Sequence, residues 1–232
     1  MSFKFVRVSF SSLLLFAFAL SAKAYEPIRD LWQWNTFSID KKLNDKWSIG
    51  LDEEIRLYHN ISQLNLCYTN VGVTYKAASF LKVSLVYRSI QKKQADGTAS
   101  FRHRVYTDLA FKKKTNTFIL GYRARFQAQV RDYNSSPDGQ ILEKYWRSKF
   151  ELRYDGFKAI QPYIAAEFRY QFRNNRLTEA NYMFNRGRYA IGFDYSINKH
   201  NTIGVYYMLQ KEFNINAPES DSVLGLSYSL SL

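Results

Sequence analysis

FILGYRARFQAQVRDY, residues 118–133, interleaves two chemistries in one short run. Phe118, Leu120, Tyr122, Ala124, Phe126, Ala128 and Val130 take alternate positions. Gly121, Arg123, Arg125, Gln127, Gln129 and Arg131 take those between. A period of two sends such sets to opposite faces of an extended strand. A soluble core has no use for three arginines, and a solvated face has no use for the apolar half. The run asks for a different solvent on each side of one sheet.

The same alternation recurs along the chain. Trp47, Ile49, Leu51 and Ile55 oppose Ser48, Asp52, Glu54 and Arg56. Val105, Leu109 and Phe111 oppose Arg102, Arg104, Tyr106 and Asp108, and Trp146, Phe150 and Leu152 oppose Arg147, Lys149, Glu151 and Arg153. Ile164, Phe168 and Tyr170 oppose Glu167 and Arg169, and Tyr189, Ile191 and Phe193 oppose Arg186, Arg188 and Asp194. These runs last about 11 to 15 residues, against about 5–6 for a globular strand. A tilted strand that crosses a membrane needs about 9–11. Tight connections near Lys41–Asp45, Lys76–Ser79, Lys112–Asn116, Asp155–Lys158 and Asn198–Asn201 alternate with longer ones near Gln91–Ala99, Asp132–Lys144, Asn174–Tyr182 and Lys211–Asp221. The connection near His59–Gln63 is shorter than its fellows. Short turns on one side and long loops on the other mark an outer-membrane barrel.

The pattern predicts an all-β fold, a transmembrane antiparallel up-and-down β-barrel of about 10–12 strands. A soluble β-sandwich or a lipocalin-like barrel also alternates. Strand length, aromatics at the ends of the apolar faces and arginines mixed with carboxylates on the polar faces favour the membrane barrel. Eleven candidate strands can be counted, beginning around Trp32–Ile39. Single-chain bacterial barrels take even numbers, so ten or twelve are expected and twelve is preferred. Tyr25–Ile39 is the segment that could instead run inside the lumen or cap the barrel.

The first 24 residues differ from the rest. Lys4 and Arg7 precede the apolar run SLLLFAFAL, and Ala22-Lys23-Ala24 closes it with small residues in A-x-A positions. This reads as a secretory signal peptide cleaved near Ala24, leaving residues 25–232 as the barrel domain. The apolar run is too short for an anchor, and no later run reaches the roughly 18 apolar residues of a transmembrane helix. The formal charge of +13 falls to +10 once Lys4, Arg7 and Lys23 leave. Export makes nucleic acid an unexpected partner and leaves lipid phosphates or anionic solutes for the basic balance. Cys67 is the single cysteine and cannot form an internal disulfide.

The candidate lumen lining is Arg102, Arg104, Arg123, Arg125, Arg131, Arg147, Glu151, Arg153, Glu167, Arg169, Arg186 and Arg188. Guanidinium forks bridge several acceptors at once. A cation-lined pore would favour anions. A salt-bridged plug with Asp108, Glu151, Glu167 and Asp194 would close the lumen instead, and ten to twelve strands lie between barrels that fill with side chains and barrels that hold channels. No metal, cofactor or catalytic motif of recognisable spacing is present. Two readings remain beside these: a lipid-modifying enzyme using His59 or His103 at the outer rim, and surface binding through the loops near Gln91–Ala99 and Asp132–Lys144. Glu53 is out of place, a carboxylate on the apolar side, which predicts a bulge, a register shift or a strand end.

The chain resembles the domain of unknown function family 2490, exported bacterial outer-membrane β-barrel proteins. The resemblance rests on Trp34-Asn35, Leu43, Trp47, Glu53 and Arg56, then Pro162-Tyr163 with Glu167 and Tyr170. Asn185-Arg186, Arg188, Gly192 and Tyr195 follow, then Tyr206-Tyr207 with Gln210, Gly225 and Tyr228. It implies an outer-membrane location, a barrel fold, outer-membrane lipids and the barrel assembly machinery as partners, and no established activity. A monomer is expected. Barrels of this kind commonly end in an aromatic residue; this chain ends in Leu232.

Overall fold

Among the described residues, eleven strands close into one barrel. The computed structural model describes residues 29–94, 96–135, 141–172, 183–215 and 218–232. The predicted signal peptide, the whole Asn174–Tyr182 connection and part of Asp132–Lys144 lie outside the described residues.

The strands are β1 (Arg29–Lys42), β2 (Trp47–Tyr58), β3 (Gln63–Ala78), β4 (Leu81–Lys93), β5 (Ala99–Thr115), β6 (Phe118–Arg131), β7 (Glu143–Tyr154), β8 (Ile160–Gln171), β9 (Met183–Ser196), β10 (Asn201–Glu212) and β11 (Ser220–Ser231). Each is 12 to 17 residues long. Every strand from β2 to β11 pairs antiparallel with its sequence neighbours.

The count corrects the expectation of an even number. β1 pairs antiparallel with β2 and parallel with β11, from Arg29↔Ser220 to Asp40↔Ser231. The ten strands β2–β11 form a meander, and β1 wedges between its first and last members. Tyr25–Ile39 therefore contributes a wall strand through its described part, neither a lumen segment nor a cap. The ring leaves no free edge, as backbone in hydrocarbon requires.

Burial is inverted relative to a soluble domain. Among the described residues, sixteen buried ones are polar or charged against eight that are hydrophobic. Phe37, Leu51, Val71, Leu85, Val105, Leu120, Phe150, Ile164, Ile191 and Leu226 all stand exposed on the outer wall. An apolar exterior of this extent has only a lipid bilayer as a compatible solvent.

Local chemistry fixes the two rims. At the tight-turn rim the Asn44 side chain accepts from the backbone N–H of Lys46 and Trp47, and that of Asn198 accepts from His200 and Asn201. Such Asx turns need few residues. At the long-loop rim the short β2–β3 connection is strapped to β1. Asp30 accepts from the N–H groups of His59 and Asn60, both with positive φ. Aromatic pairs such as Trp47–Tyr75 and Tyr170–Phe184 ring the two ends of the wall, where amphipathic rings suit the membrane interface.

Candidate functional site

The site is the barrel interior. Side chains from β1 through β10 enclose a cavity of about 430 Å³. Arg104, Arg123, Arg125, Arg147, Glu167, Arg169, Arg186 and Arg188 of the predicted set line it, joined by Arg56, Arg88 and Lys149. Arg102 and Arg131 face each other across β5 and β6 at the long-loop end, outside this cavity. Glu151 and Arg153 pair nearer the tight turns, also outside it.

Carboxylates hold part of this lining. Arg125 Nε and Nη2 donate to both oxygens of Asp108 at 2.6 Å, a bidentate fork. Glu167 serves three arginines: Arg123 Nη2 at 2.7 Å, Arg147 Nε at 3.1 Å and Arg188 Nη1 at 3.4 Å. Arg56 Nε donates to Glu54 at 2.5 Å, and Thr36 hydroxyl donates to the other Glu54 oxygen at 2.9 Å. Arg153 bridges Glu151 and Asp194.

Aromatic rings hold another part. Arg56 Cζ lies 3.5 Å from the centre of the Trp34 ring and 5.4 Å from Tyr68. Arg88 Cζ lies 3.5 Å from Tyr68 and 5.6 Å from Tyr106, and Arg125 Cζ lies 3.8 Å from Tyr106. Arg188 Cζ lies 5.1 Å from the centre of the Trp34 ring. Guanidinium and ring thus alternate across six consecutive strands, β1 to β6. Each such contact contributes about 0.5–2 kcal/mol when shielded from water.

This belt is the feature that sequence reasoning missed. Trp34 and Tyr68 are bulky aromatics, and in a barrel sequence bulky aromatics read as lipid face. Their parity with Arg56 and Arg88 on neighbouring strands becomes a signal only once the register is known. Tyr206 is similar. Its register partners Gly192 and Gly225 leave room for the ring, since a Cβ on Gly225 would fall 1.9 Å from Tyr206 Cζ.

The outer-rim histidines are apart. His103 faces outward with Nδ1 2.7 Å from the Tyr87 hydroxyl and Nε2 3.6 Å from Asp132. His59 stacks on Tyr58 in the β2–β3 turn. Among the described residues no three His, Cys, Asp or Glu side chains gather as a metal site. Glu53 lies exposed in the middle of β2 between Leu51 and Ile55, and the β2 register shift falls later, between Arg56 and Leu57. The bulge, shift or strand end expected at Glu53 is absent, because the strand keeps its alternation through that position.

A closed barrel with an apolar outer wall and a charged interior defines the class of membrane-spanning β-barrels. The family model DUF2490, described as a protein of unknown function, matches residues 33–221, and the chain belongs to that family. Among solved structures, a NanC porin is similar with 13% identity and TM-score 0.47, covering 78% of this chain and 86% of that one. The beta domain of the Bordetella autotransporter BrkA is similar with 12% identity and TM-score 0.46, covering 76% and 79%. No curated protein matches the chain.

Proposed function

We propose that this chain is an outer-membrane barrel whose interior is a narrow passage favouring small anions. One observation carries the reading: ten Arg and Lys side chains line the cavity against the carboxylates of Asp52, Glu54 and Glu167. A low-dielectric wall focuses that excess and raises the local concentration of anions while excluding cations. The ion pairs and the guanidinium–aromatic belt narrow the lumen, so small conductance is expected. Planar-bilayer recording across a potassium chloride gradient tests it. A reversal potential on the chloride side supports the passage. Silence with every anion tried removes it and leaves a structural envelope barrel.

A second reading follows from His103. Its contacts with Tyr87 and Asp132 at the outer rim support lipid modification, a general-base role in which the carboxylate orients the ring. Unchanged outer-leaflet lipids after His103→Ala would end it.

A further inference from the structure

Four arginines of the cavity share a device that ion pairing does not explain. Arg88 Nε donates to Asn70 Oδ1 at 2.6 Å, Arg104 Nε to Gln129 Oε1 at 2.9 Å, Arg169 Nε to Asn185 Oδ1 at 2.8 Å and Arg188 Nε to Gln210 Oε1 at 2.8 Å. In each case a neutral amide holds the guanidinium by its inner nitrogen, and Gln129 also accepts from Nη2 of Arg104. Among the described residues, Arg88, Arg104 and Arg169 have no carboxylate in contact.

The amides are themselves held from behind. Asn70 Nδ2 donates to Asp52 at 2.9 Å, Gln129 Nε2 to Glu143 at 3.2 Å and Gln210 Nε2 to Asp221 at 2.8 Å, while Asn185 Nδ2 donates to Gln171 at 2.7 Å. Three of the four chains therefore read arginine, amide, carboxylate. The acid fixes the amide and the amide fixes the arginine, yet the acid stays one side chain away from the cation. Coulomb attraction falls with that distance, so Arg88 and Arg104 are oriented without being neutralised, while Arg188 keeps a longer contact with Glu167 at 3.4 Å. A lumen built only to be plugged gains more by placing the carboxylate on the arginine, as Asp108 does with Arg125.

The cations also act on one another. Arg56, Arg88 and Arg147 line the same cavity as Arg104. Burying like charges together is costly unless a counter-charge joins them. Two buried donors in the same lining have no acceptor: Trp34 Nε1, on a residue 5% exposed, and Arg123 Nε. Unsatisfied N–H groups beside oriented guanidinium forks describe a place for oxygen acceptors that carry negative charge. The cavity volume falls within the range of small-molecule sites, about 300–1,000 Å³.

We infer that the lumen holds a binding site for a multivalent oxyanion, phosphoryl or polycarboxylate, gripped by the outer nitrogens of Arg88, Arg104, Arg169 and Arg188. The inference rests on the cationic-interior reading above and adds a saturable, specific step to it. Two or more negative groups are required because the arginines come from opposite parts of the wall, β4 and β5 against β8 and β9.

The test uses the processed, folded full barrel in detergent, titrated with pyrophosphate, with tricarballylate and with chloride. Trp34, in contact with Arg56, supplies a fluorescence signal, and calorimetry supplies the stoichiometry. One pyrophosphate or tricarballylate per barrel, binding at least tenfold tighter than chloride, is expected, and the tighter of the two assigns the phosphoryl or the carboxylate source. Arg104→Gln weakens binding at least tenfold. Gln129→Glu does the same while keeping an acceptor beside Arg104, which separates charge from folding. Lys199→Gln, which removes one charge from a tight turn, leaves binding unchanged. Heat-modifiable migration verifies that each variant is folded. Equal binding in wild type, Arg104→Gln and Gln129→Glu overturns the site. An anion-selective barrel with no saturable oxyanion binding also overturns it and leaves the passage intact. Saturable binding in a barrel that conducts nothing keeps the site and ends the passage.

Discussion

Glu53 is the side chain that its surroundings tolerate least. It projects from the middle of β2 between Leu51 and Ile55, opposite Phe37 on β1 and Thr69 on β3. A carboxylate on a lipid-facing wall destabilises a barrel, less than arginine or lysine does but measurably. Glu53→Leu is expected to stabilise the barrel by about 1–2 kcal/mol in urea titrations of vesicle-inserted protein. No change, or a loss, would mean that Glu53 meets a polar partner in the membrane. The sequence exposed this residue because one charge broke an otherwise regular alternation. It did not expose the aromatic partners of the arginines. Trp34 and Tyr68 carry no charge, and which wall they face depends on which neighbour they pair with; Tyr106 alternates with the polar set, but its arginines, Arg88 and Arg125, lie on the flanking strands. The arginine–amide–acid chains were hidden for the same reason. Asn70, Gln129 and Gln210 are neutral polar residues among others in their own strands, and their meaning lies in the strands on either side.

At the scale of the element, turn chemistry and the strand candidates were legible and the parallel pairing of β1 was not. Asn44, Asn116 and Asn198 sit where short connections need side-chain acceptors or positive φ. All five tight connections fall where the residues indicated. The eleven candidate strands of the sequence are the eleven described; the even-number rule argued against them because β1 alternates like any other strand while its parallel partner, β11, is far away in the chain. Tight turns also pair with each other. Lys114, at the end of β5, donates to Asp155 in the β7–β8 turn, and Gln161 donates to the same carboxyl. The ammonium of Lys114 holds the Asp155 carboxyl below its ordinary value of 3.8. The sign follows from the depressed folded value. The contribution is fully present above 3.8 and is lost only as the pH falls further, through the folded midpoint. Carboxyl resonances followed by NMR should show Asp155 titrating below 3.8, and Lys114→Ala should return it toward that value. An Asp155 midpoint at or above 3.8 in the unsubstituted barrel would remove the pairing from solution.

At the scale of the whole molecule, β1 sets an asymmetry that an even barrel lacks. β11 runs toward the tight-turn rim, and β1 runs beside it in the same direction, so the chain enters the wall at Arg29 from the long-loop rim. An epitope placed immediately before Arg29 should bind antibody on intact cells, and one placed in the Asn198–Asn201 turn should not. The reverse result would invert the barrel in its membrane. The same ladder has a kinetic consequence. Every other pair of strands joins neighbours through a turn, whereas Arg29 and Ser220 are separated by about 190 residues. Closing a longer loop costs about 0.6 kcal/mol for each doubling of its length, and long-range pairing slows folding. The eleven strands, joined in sequence by ten connections, can zip in order, but the ring completes only when its first strand captures its last. Until then the edges of β1 and β11 remain open to other chains, so the interval before capture is when this barrel is most exposed to misassembly.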